Sequence, residues 1–165
     1  MAKRIITISR EFGSGGRFIG EEVAKKLGIA YYDKEMIGQI AEQAGLSSAY
    51  VRENAELSPK KGWFAYAFSG RDITGKSVED MVYEAQRKVI MEIAEKENCV
   101  IVGRNADFIL KDRKDVLNVF IHGSIPEKVR RICSLYNVTE VDAIKMINDI
   151  DKRLSLIHIS EPTRP

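Results

Sequence analysis

The segment SREFGSGGR, residues 9–17, has the residue types and spacing in this chain that are most typical of a binding site. It follows the apolar run IITI and precedes a segment with apolar residues at helical spacing. Gly13, Gly15 and Gly16 would let backbone N–H groups face inward without interference from a Cβ atom. With the N-terminus of the following helix, these donors would form a site for an anion such as phosphate.

The usual phosphate-binding loop ends in a lysine followed by serine or threonine, and this pair is absent here. Arg17 could supply the positive charge instead, because a guanidinium can bind two phosphate oxygens at once. The same glycines would also suit a tight turn that packs a strand closely against a helix. The spacing leaves both interpretations open and favours phosphate binding.

The elements that must position this loop are strands and helices in alternation, which predicts an α/β fold with a parallel sheet covered on both faces. Buried strands are predicted at residues 4–9, 29–32, 99–102 and 116–121. Helices are predicted at residues 18–27, 34–44, 77–97, 106–111, 126–136 and 140–152. Asp33 and Thr139 are placed to cap the helices that follow them.

Composition limits the classes of protein to which this chain could belong. Its 165 residues, 44% of them hydrophobic, suffice for one domain with a sizeable core. A net charge of +2 is too small to predict a nucleic-acid or membrane partner. Cys99 and Cys133 form no C-x-x-C motif, no residue cluster has metal-ligand spacing, and no apolar run approaches the about 20 residues of a spanning helix. We therefore expect a cytoplasmic protein; the oligomeric state is not predicted.

Three segments, in order, carry a family resemblance: ISREFGSGGRFIGEEVAKKLGIAYYDKEMI, KVIMEIAEKENCVIVGRNADFIL and VFIHGSIPEKVRRI. Together they resemble the cytidylate kinase-like family, which belongs to the P-loop nucleoside monophosphate kinases. The resemblance covers most of residues 3–153 and is weakest at residues 47–76. It implies a three-layer αβα fold with strand order 2-3-1-4 and a fifth strand after the lid. It also implies phosphoryl transfer from ATP, with Mg²⁺, to a small-molecule nucleotide, CMP or dCMP.

The resemblance assigns the donor phosphates to the loop residues Gly13, Ser14, Gly15, Gly16, Arg17 and Phe18. Gly16 occupies the place of the lysine in ordinary cytidylate kinases, and Arg17 and Phe18 follow it. The hydroxyl that would bind Mg²⁺ is therefore absent at this place. The S-R-E-F-G-S-G-G form recurs within the cytidylate kinase-like group, so this departure affects the catalytic detail more than membership.

Two residues are candidates for binding the acceptor nucleotide. The resemblance places Asp33, at the end of the second strand, near the acceptor or a metal; Asp33 could equally be only a helix cap. Arg104 follows the buried strand CVIV and matches a Gly-Arg pair whose arginine binds the acceptor monophosphate. An arginine just after a buried strand is costly unless it is paired. Residues 47–76 would form the acceptor-binding insert.

The lid is the last part of the resemblance. Ser124, Lys128 and Arg131 match an S-x-x-x-[RK]-x-x-R pattern that leads to the lid, and Arg131 is assigned a catalytic role with Arg17. Arg131 could equally lie on a solvated helix face. Asp151 begins a D-x-x-R segment whose arginine would fall at position 154, where this chain has Leu154.

The tail LSLIHISEPTRP, residues 154–165, resembles the translation of a transposase-type sequencing adapter and is not expected to continue the preceding helix. A genuine short strand and polar tail is the alternative. We therefore expect a P-loop kinase domain at residues 1–153, with an incomplete lid and no fifth strand, and a non-native tail. Two other functions stay open: a nucleotide-binding module without transferase activity, and a kinase for another acceptor.

The first prediction concerns the chain as it stands. Without the lid arginine, charge on the transferring phosphoryl group is not neutralised, and the run VLNVFI would be an unprotected sheet edge. We expect the 165-residue chain to be aggregation-prone and to give no measurable kinase turnover, even if nucleotide binding survives. A soluble, monomeric preparation with normal phosphoryl transfer to CMP would contradict this expectation.

Overall fold

A computed structural model of the protein describes residues 4–44 and 78–158, and it describes side chains for residues 4–44 and 82–151. The predicted acceptor-binding insert at residues 47–76 lies outside these ranges, as do residues 159–165 of the tail.

Four parallel strands form the sheet of the described residues: β1 (Ile5–Arg10), β2 (Ala30–Tyr32), β3 (Cys99–Val102) and β4 (Val116–Ile121). Their order is β2-β3-β1-β4, which confirms the predicted α/β class and the predicted strand order. The central strand β1 pairs with β3 on one side and with β4 on the other. All four strands therefore point their carboxyl ends to one edge of the sheet.

Within residues 4–44 and 78–158, six helices surround or follow the sheet: α1 (Gly16–Leu27), α2 (Lys34–Gln43), α3 (Val78–Lys96), α4 (Ala106–Ile109), α5 (Ile125–Tyr136) and α6 (Glu140–His158). The predicted bounds are close for most of them, but α4 is shorter than expected. The expected end of α6 near residue 152 is wrong, because the helix continues to His158. Residues 154–158 include good helix formers and no glycine or proline, so nothing local ends the helix there. The proposed origin of residues 154–165 stays a prediction.

Apolar side chains alternate along the strands and bury both faces of the sheet. On one face, Ile5 and Ile101 pack with residues of α2, α3 and α4. On the other face, Ile8 and Val102 pack with Ala24 of α1. This is the predicted three-layer αβα arrangement.

A third apolar cluster joins α5 to α6 and includes Ile132 and Ile147, with Phe12 of the glycine-rich loop packed against it. The loop is thus in contact with the helix pair and with its own strand. Both cysteines belong to the core: Cys99 is buried, and burial raises the pKa of its thiol to about 11.

The predicted helix caps are confirmed. The Asp33 carboxylate accepts hydrogen bonds from the backbone N–H groups of Glu35 and Met36, at 3.0 and 3.1 Å. The Thr139 hydroxyl accepts a hydrogen bond from the N–H of Asp142 at 3.2 Å and donates one to its carboxylate at 2.8 Å. These bonds satisfy N–H groups that a helix leaves without partners.

β4 pairs with β1 alone among the described strands, and the side chains of Leu117 and Phe120 are 45% and 58% exposed. Within the described ranges, no helix has both the length and the hydropathy to cross a membrane.

Candidate functional site

The loops that leave the carboxyl ends of the four strands carry most of the predicted site residues. In open α/β sheets, ligands bind at this edge. The glycine-rich loop follows β1, Asp33 follows β2, Arg104 follows β3, and the segment leading to α5 follows β4. The strand order therefore brings together residues that are far apart in the chain.

The glycine-rich loop has the backbone shape that its glycines predict. Gly13 and Gly15 have φ angles of 78° and 86°, in the left-handed region that side chains rarely adopt. Between them, Ser14 closes a turn: its hydroxyl donates to the carbonyl of Glu11 at 2.8 Å, and its N–H donates to the same oxygen at 3.3 Å. The Ser14 hydroxyl is thus occupied with the loop's own backbone.

Helix α1 begins at the end of this loop, at Gly16. The first helical hydrogen bond runs from the N–H of Ile19 to the carbonyl of Gly15. The N–H groups of Gly16, Arg17 and Phe18 have no acceptor in the part of the chain that the structure describes. The Phe18 side chain is 69% exposed, so this residue would serve an anion through its amide. Free amides and the positive end of a helix suit phosphate.

Arg17 turns away from the loop toward the residues that follow β2. Its guanidinium lies 2.9 Å from the Asp33 carboxylate and 3.0 Å from that of Glu35. The hydrogen bond to Glu35 raises the pKa of Arg17 above its ordinary value. A phosphate in the loop would compete with these carboxylates, so the predicted phosphate-binding role of Arg17 stays a prediction.

The Asp33 carboxylate contacts both α1, through Arg17, and the N-terminus of α2. Its side chain is 8% exposed; one oxygen caps α2 and the other faces Arg17. Asp33 and Arg17 were predicted for the acceptor and donor sides respectively, and the structure brings them into direct contact.

Arg104 lies in strained backbone at the end of β3. Gly103, Arg104 and Asn105 all have positive φ angles, of 75°, 58° and 53°. For the two residues with side chains, this conformation costs on the order of 1–3 kcal/mol each, a strain that is common at functional sites.

Arg10, the last residue of β1, is a candidate site residue that the sequence analysis missed. Its guanidinium lies beside Gly103, next to Arg104. Burial lowers the pKa of Arg10, and the positive charge of Arg104 lowers it further. One sequence signal could have found it: a charged residue directly after the predicted buried strand at residues 4–9 and just before the glycines.

A buried ion network holds the loop against the two helices of the third cluster. Lys128 of α5 is 2% exposed, and its Nζ lies 2.6 Å from the Asp151 carboxylate and 3.2 Å from that of Glu11. Asp151 also accepts a hydrogen bond from the N–H of Phe12, and Glu11 accepts one from the N–H of Gly123. Burial works to lower the pKa of Lys128, but the bonds to Asp151 and Glu11 outweigh it and raise the pKa.

Arg131, one turn along α5 from Lys128, contacts the glycine-rich loop. Its Nη1 donates a hydrogen bond to the carbonyl of Gly13 at 3.0 Å, and a Cβ atom on Gly15 would fall 2.6 Å from that nitrogen. The side chain also lines a cleft of about 530 Å³ between the loop, the end of β4 and α5. The structure thus brings Arg131 to the predicted donor site. Ser124 is the N-cap residue of α5, and its hydroxyl donates a hydrogen bond to the Glu127 carboxylate at 2.8 Å.

Among the described residues at this edge, no free carboxylate or hydroxyl is placed as a dedicated Mg²⁺ ligand. Mg²⁺ in kinases is bound by one or two carboxylates or hydroxyls together with substrate phosphates. The nearby carboxylates of Asp33 and Glu11 are paired with Arg17 and Lys128, and the Ser14 hydroxyl faces a backbone carbonyl. No group of three His, Cys, Asp or Glu residues that could hold a metal occurs in the described ranges.

Comparisons with known proteins found a matching sequence family and similar overall folds. The sequence model of the cytidylate kinase-like family matches residues 5–158. An uncharacterized protein from Eubacterium ventriosum ATCC 27560 is similar in structure, with a TM-score of 0.70 and 27% identity over 97% of this chain and 78% of that one. No match was found among curated proteins.

Two further solved structures share the fold alone. Shikimate kinase from Bacteroides thetaiotaomicron has a TM-score of 0.52 and 18% identity, over 92% of this chain and 79% of that one. The protein TT1252 from Thermus thermophilus has a TM-score of 0.52 and 15% identity, over 88% and 78%.

The second prediction concerns the ion network. Replacing Lys128 with methionine keeps the volume but leaves two partly buried carboxylates without their cation. We expect the free energy of unfolding to fall by about 3 kcal/mol, the lower end for a broken buried pair, because both carboxylates are about one-third exposed. Urea denaturation followed by circular dichroism measures this change.

The matched control is Lys145→Met, which removes an exposed lysine of α6 and should change the free energy of unfolding by less than about 0.5 kcal/mol. Because folding raises the pKa of Lys128, its contribution is fully present below the unfolded value of about 10.4 and is lost as pH rises through the folded pKa. Equal stabilities of the two variants at pH 7 would show that the network does not hold the fold.

Proposed function

Because the chain belongs to the cytidylate kinase-like family, we propose that it is a kinase that transfers a phosphoryl group from ATP to a nucleoside monophosphate. CMP or dCMP is the acceptor that the resemblance favours. The P-loop kinase fold and the family support phosphoryl transfer in general; the choice of ATP, of the acceptor base and of a cytoplasmic location is part of the proposal.

One observation carries the proposal: free backbone amides at the start of α1 lie between arginines on two sides. Arg131 contacts the glycine-rich loop, while Arg10 and Arg104 lie together at the end of β3. Phosphoryl transfer depends on positioning and on neutralising phosphate charge more than on covalent chemistry by the protein. In the proposal, the loop binds the donor phosphates and Arg104 binds the acceptor monophosphate.

The domain assignment belongs to the same proposal. Residues 1–153 would form the kinase domain, residues 47–76 the acceptor-binding insert, and residues 154–165 a tail without a role in the reaction. ATP would enter with Mg²⁺ bound to its own phosphates, and no step of the proposal is assigned to the ion.

A nucleotide-binding module without transferase activity is the second candidate. It is favoured by the pairing of Arg17 with Asp33 and Glu35, which occupies the cation predicted to replace the missing lysine. In this candidate the loop would bind phosphate, but the site would not support transfer.

The third prediction separates these candidates. Isothermal titration should show that this chain binds ATP. It should also show tighter binding of CMP or dCMP than of AMP or UMP, because the acceptor site is proposed to recognise cytosine. An intact homologue with the same SREFGSGGR segment should phosphorylate CMP or dCMP. Binding without transfer in that homologue would support the second candidate, and transfer to another monophosphate would identify another acceptor. Absence of all nucleotide binding would contradict both candidates.

The fourth prediction concerns the acceptor phosphate. Arg104→Lys conserves the charge but loses the two-pronged geometry of a guanidinium. We expect the specificity constant for CMP in the intact homologue to fall by about tenfold or more, with KM for ATP little changed, because a charge-assisted contact is lost on the acceptor side only. Steady-state kinetics measure both constants. Arg87→Lys, an exposed arginine of α3, is the control, and equal effects of the two variants would remove Arg104 from the site.

A further inference from the structure

The Arg10 side chain fills the space that a side chain on residue 16 would need. A Cβ atom added to Gly16 would fall 2.7 Å from Cβ of Arg10 and 2.8 Å from its Cγ, closer than real Cβ atoms come to their neighbours. Gly16 is the first residue of α1 and has no positive φ angle, so its backbone shape does not require glycine. Its lack of a side chain therefore serves to admit Arg10.

A second glycine makes room for the other end of the same side chain. A Cβ atom added to Gly103 would overlap the Nη1 atom of Arg10. The Arg10 side chain thus extends from the end of β1, along the first residue of α1, to the end of β3. Its guanidinium lies between the glycine-rich loop and Arg104, where a donor phosphate and an acceptor phosphate would meet.

The Arg10 guanidinium has no hydrogen-bond acceptor or ion-pair partner among residues 4–44 and 82–151. Arg17, by contrast, is paired with two carboxylates. Burial and the charges of Arg104 and Arg17 lower the pKa of Arg10, and the opposing effects of Tyr31 and Asp33 offset only part of this. Half-buried guanidinium groups that repel one another are stabilised by a bound anion.

We propose that Arg10 supplies, from the last residue of β1, the positive charge that phosphate-binding loops usually supply from a lysine at the place of Gly16, and that it binds the terminal phosphates of a nucleoside triphosphate. This inference rests on the proposed function. In the proposed reaction, the bond between the γ-phosphorus and the β–γ bridging oxygen breaks, and ADP leaves with the electron pair. An acceptor phosphate oxygen forms the new bond. Arg10 exchanges no proton and neutralises charge.

The fifth prediction tests this role by binding, in the full chain. Inorganic tripolyphosphate and ATP are the probes, and isothermal titration gives their affinities. Arg10→Met keeps the packing of the stem and removes the charge, so we expect both affinities to fall by about tenfold or more. Arg10→Lys should stay within about fivefold of the parent, because a lysine ammonium also binds phosphate, as a point charge, in phosphate-binding loops. Arg17→Met should lose less than Arg10→Met, since Arg17 is already paired.

Two single variants and their combination, which moves the positive charge from position 10 to position 16, test this replacement directly. Gly16→Lys alone should bind poorly, since its Cβ meets the Arg10 stem, and Arg10→Gly alone should bind poorly because the cation is gone. The double variant frees the space and returns a lysine to its usual place. We expect it to bind tripolyphosphate at least about fivefold more tightly than Arg10→Gly. Thermal unfolding of each variant identifies any change that comes from loss of the fold.

The control is Lys25→Met, which removes an exposed charge about 13 Å along α1 from Gly16 and should leave both affinities unchanged. Unchanged affinity in Arg10→Met, or a double variant no better than Arg10→Gly, would overturn the proposal. Loss of tripolyphosphate binding in Arg10→Met would support it even if the intact homologue phosphorylates no monophosphate, in which case the proposed function alone fails. If Arg10→Met does not fold, Arg10→Gln provides the neutral side chain for the same comparison.

Discussion

The buried ammonium group of Lys128 is the interaction on which the candidate site depends. An ion that is 2% exposed is costly unless its charge is matched, and here Glu11 and Asp151 match it from two different parts of the chain. The same two carboxylates accept the N–H groups of Phe12 and Gly123. The start of the glycine-rich loop, the end of β4, α5 and α6 therefore meet at one charge. Because α5 also carries Arg131, this network determines where a cation contacts the loop.

As a result, at the edge of the sheet where the strands end, acidic side chains are paired and some basic ones are not. The acidic side chains nearest the loop are each bound to a cation: Glu11 and Asp151 to Lys128, and Asp33 to Arg17. Arg10 and Arg104 keep no such partner among the described residues. Pairing the carboxylates in this way prevents them from repelling a phosphate and leaves uncompensated positive charge at the open end of α1. The small net charge of the whole chain conceals this local excess.

The fold could be predicted from the sequence because its signals are local. Buried β-branched runs, helical spacing and the caps at Asp33 and Thr139 each depend on neighbours in the chain, and the structure has them where expected. The site was harder because its decisive contacts are distant: Lys128 and Glu11 are 117 positions apart. The loop could be recognised as a phosphate-binding candidate, but no spacing rule indicates that Arg17 would turn to Asp33 or that Arg10 would cross to Gly103. The end of α6 differs from the prediction because residues 154–158 have sufficient helix propensity to continue the helix, whatever the origin of the tail.

The glycines of the loop show why a motif can mislead about which residue performs its chemistry. Gly13 and Gly15 are required by conformation, as their positive φ angles indicate, whereas Gly16 is required by space. A sequence pattern counts the three alike. Exchanging a glycine and a charged residue between positions 10 and 16 changes the pattern completely, yet both positions border the same small volume above the end of β1. The binding of phosphate depends on the location of positive charge and not on the position in the sequence that carries it. A loop without its usual lysine is therefore better judged by which cation occupies the space the lysine left.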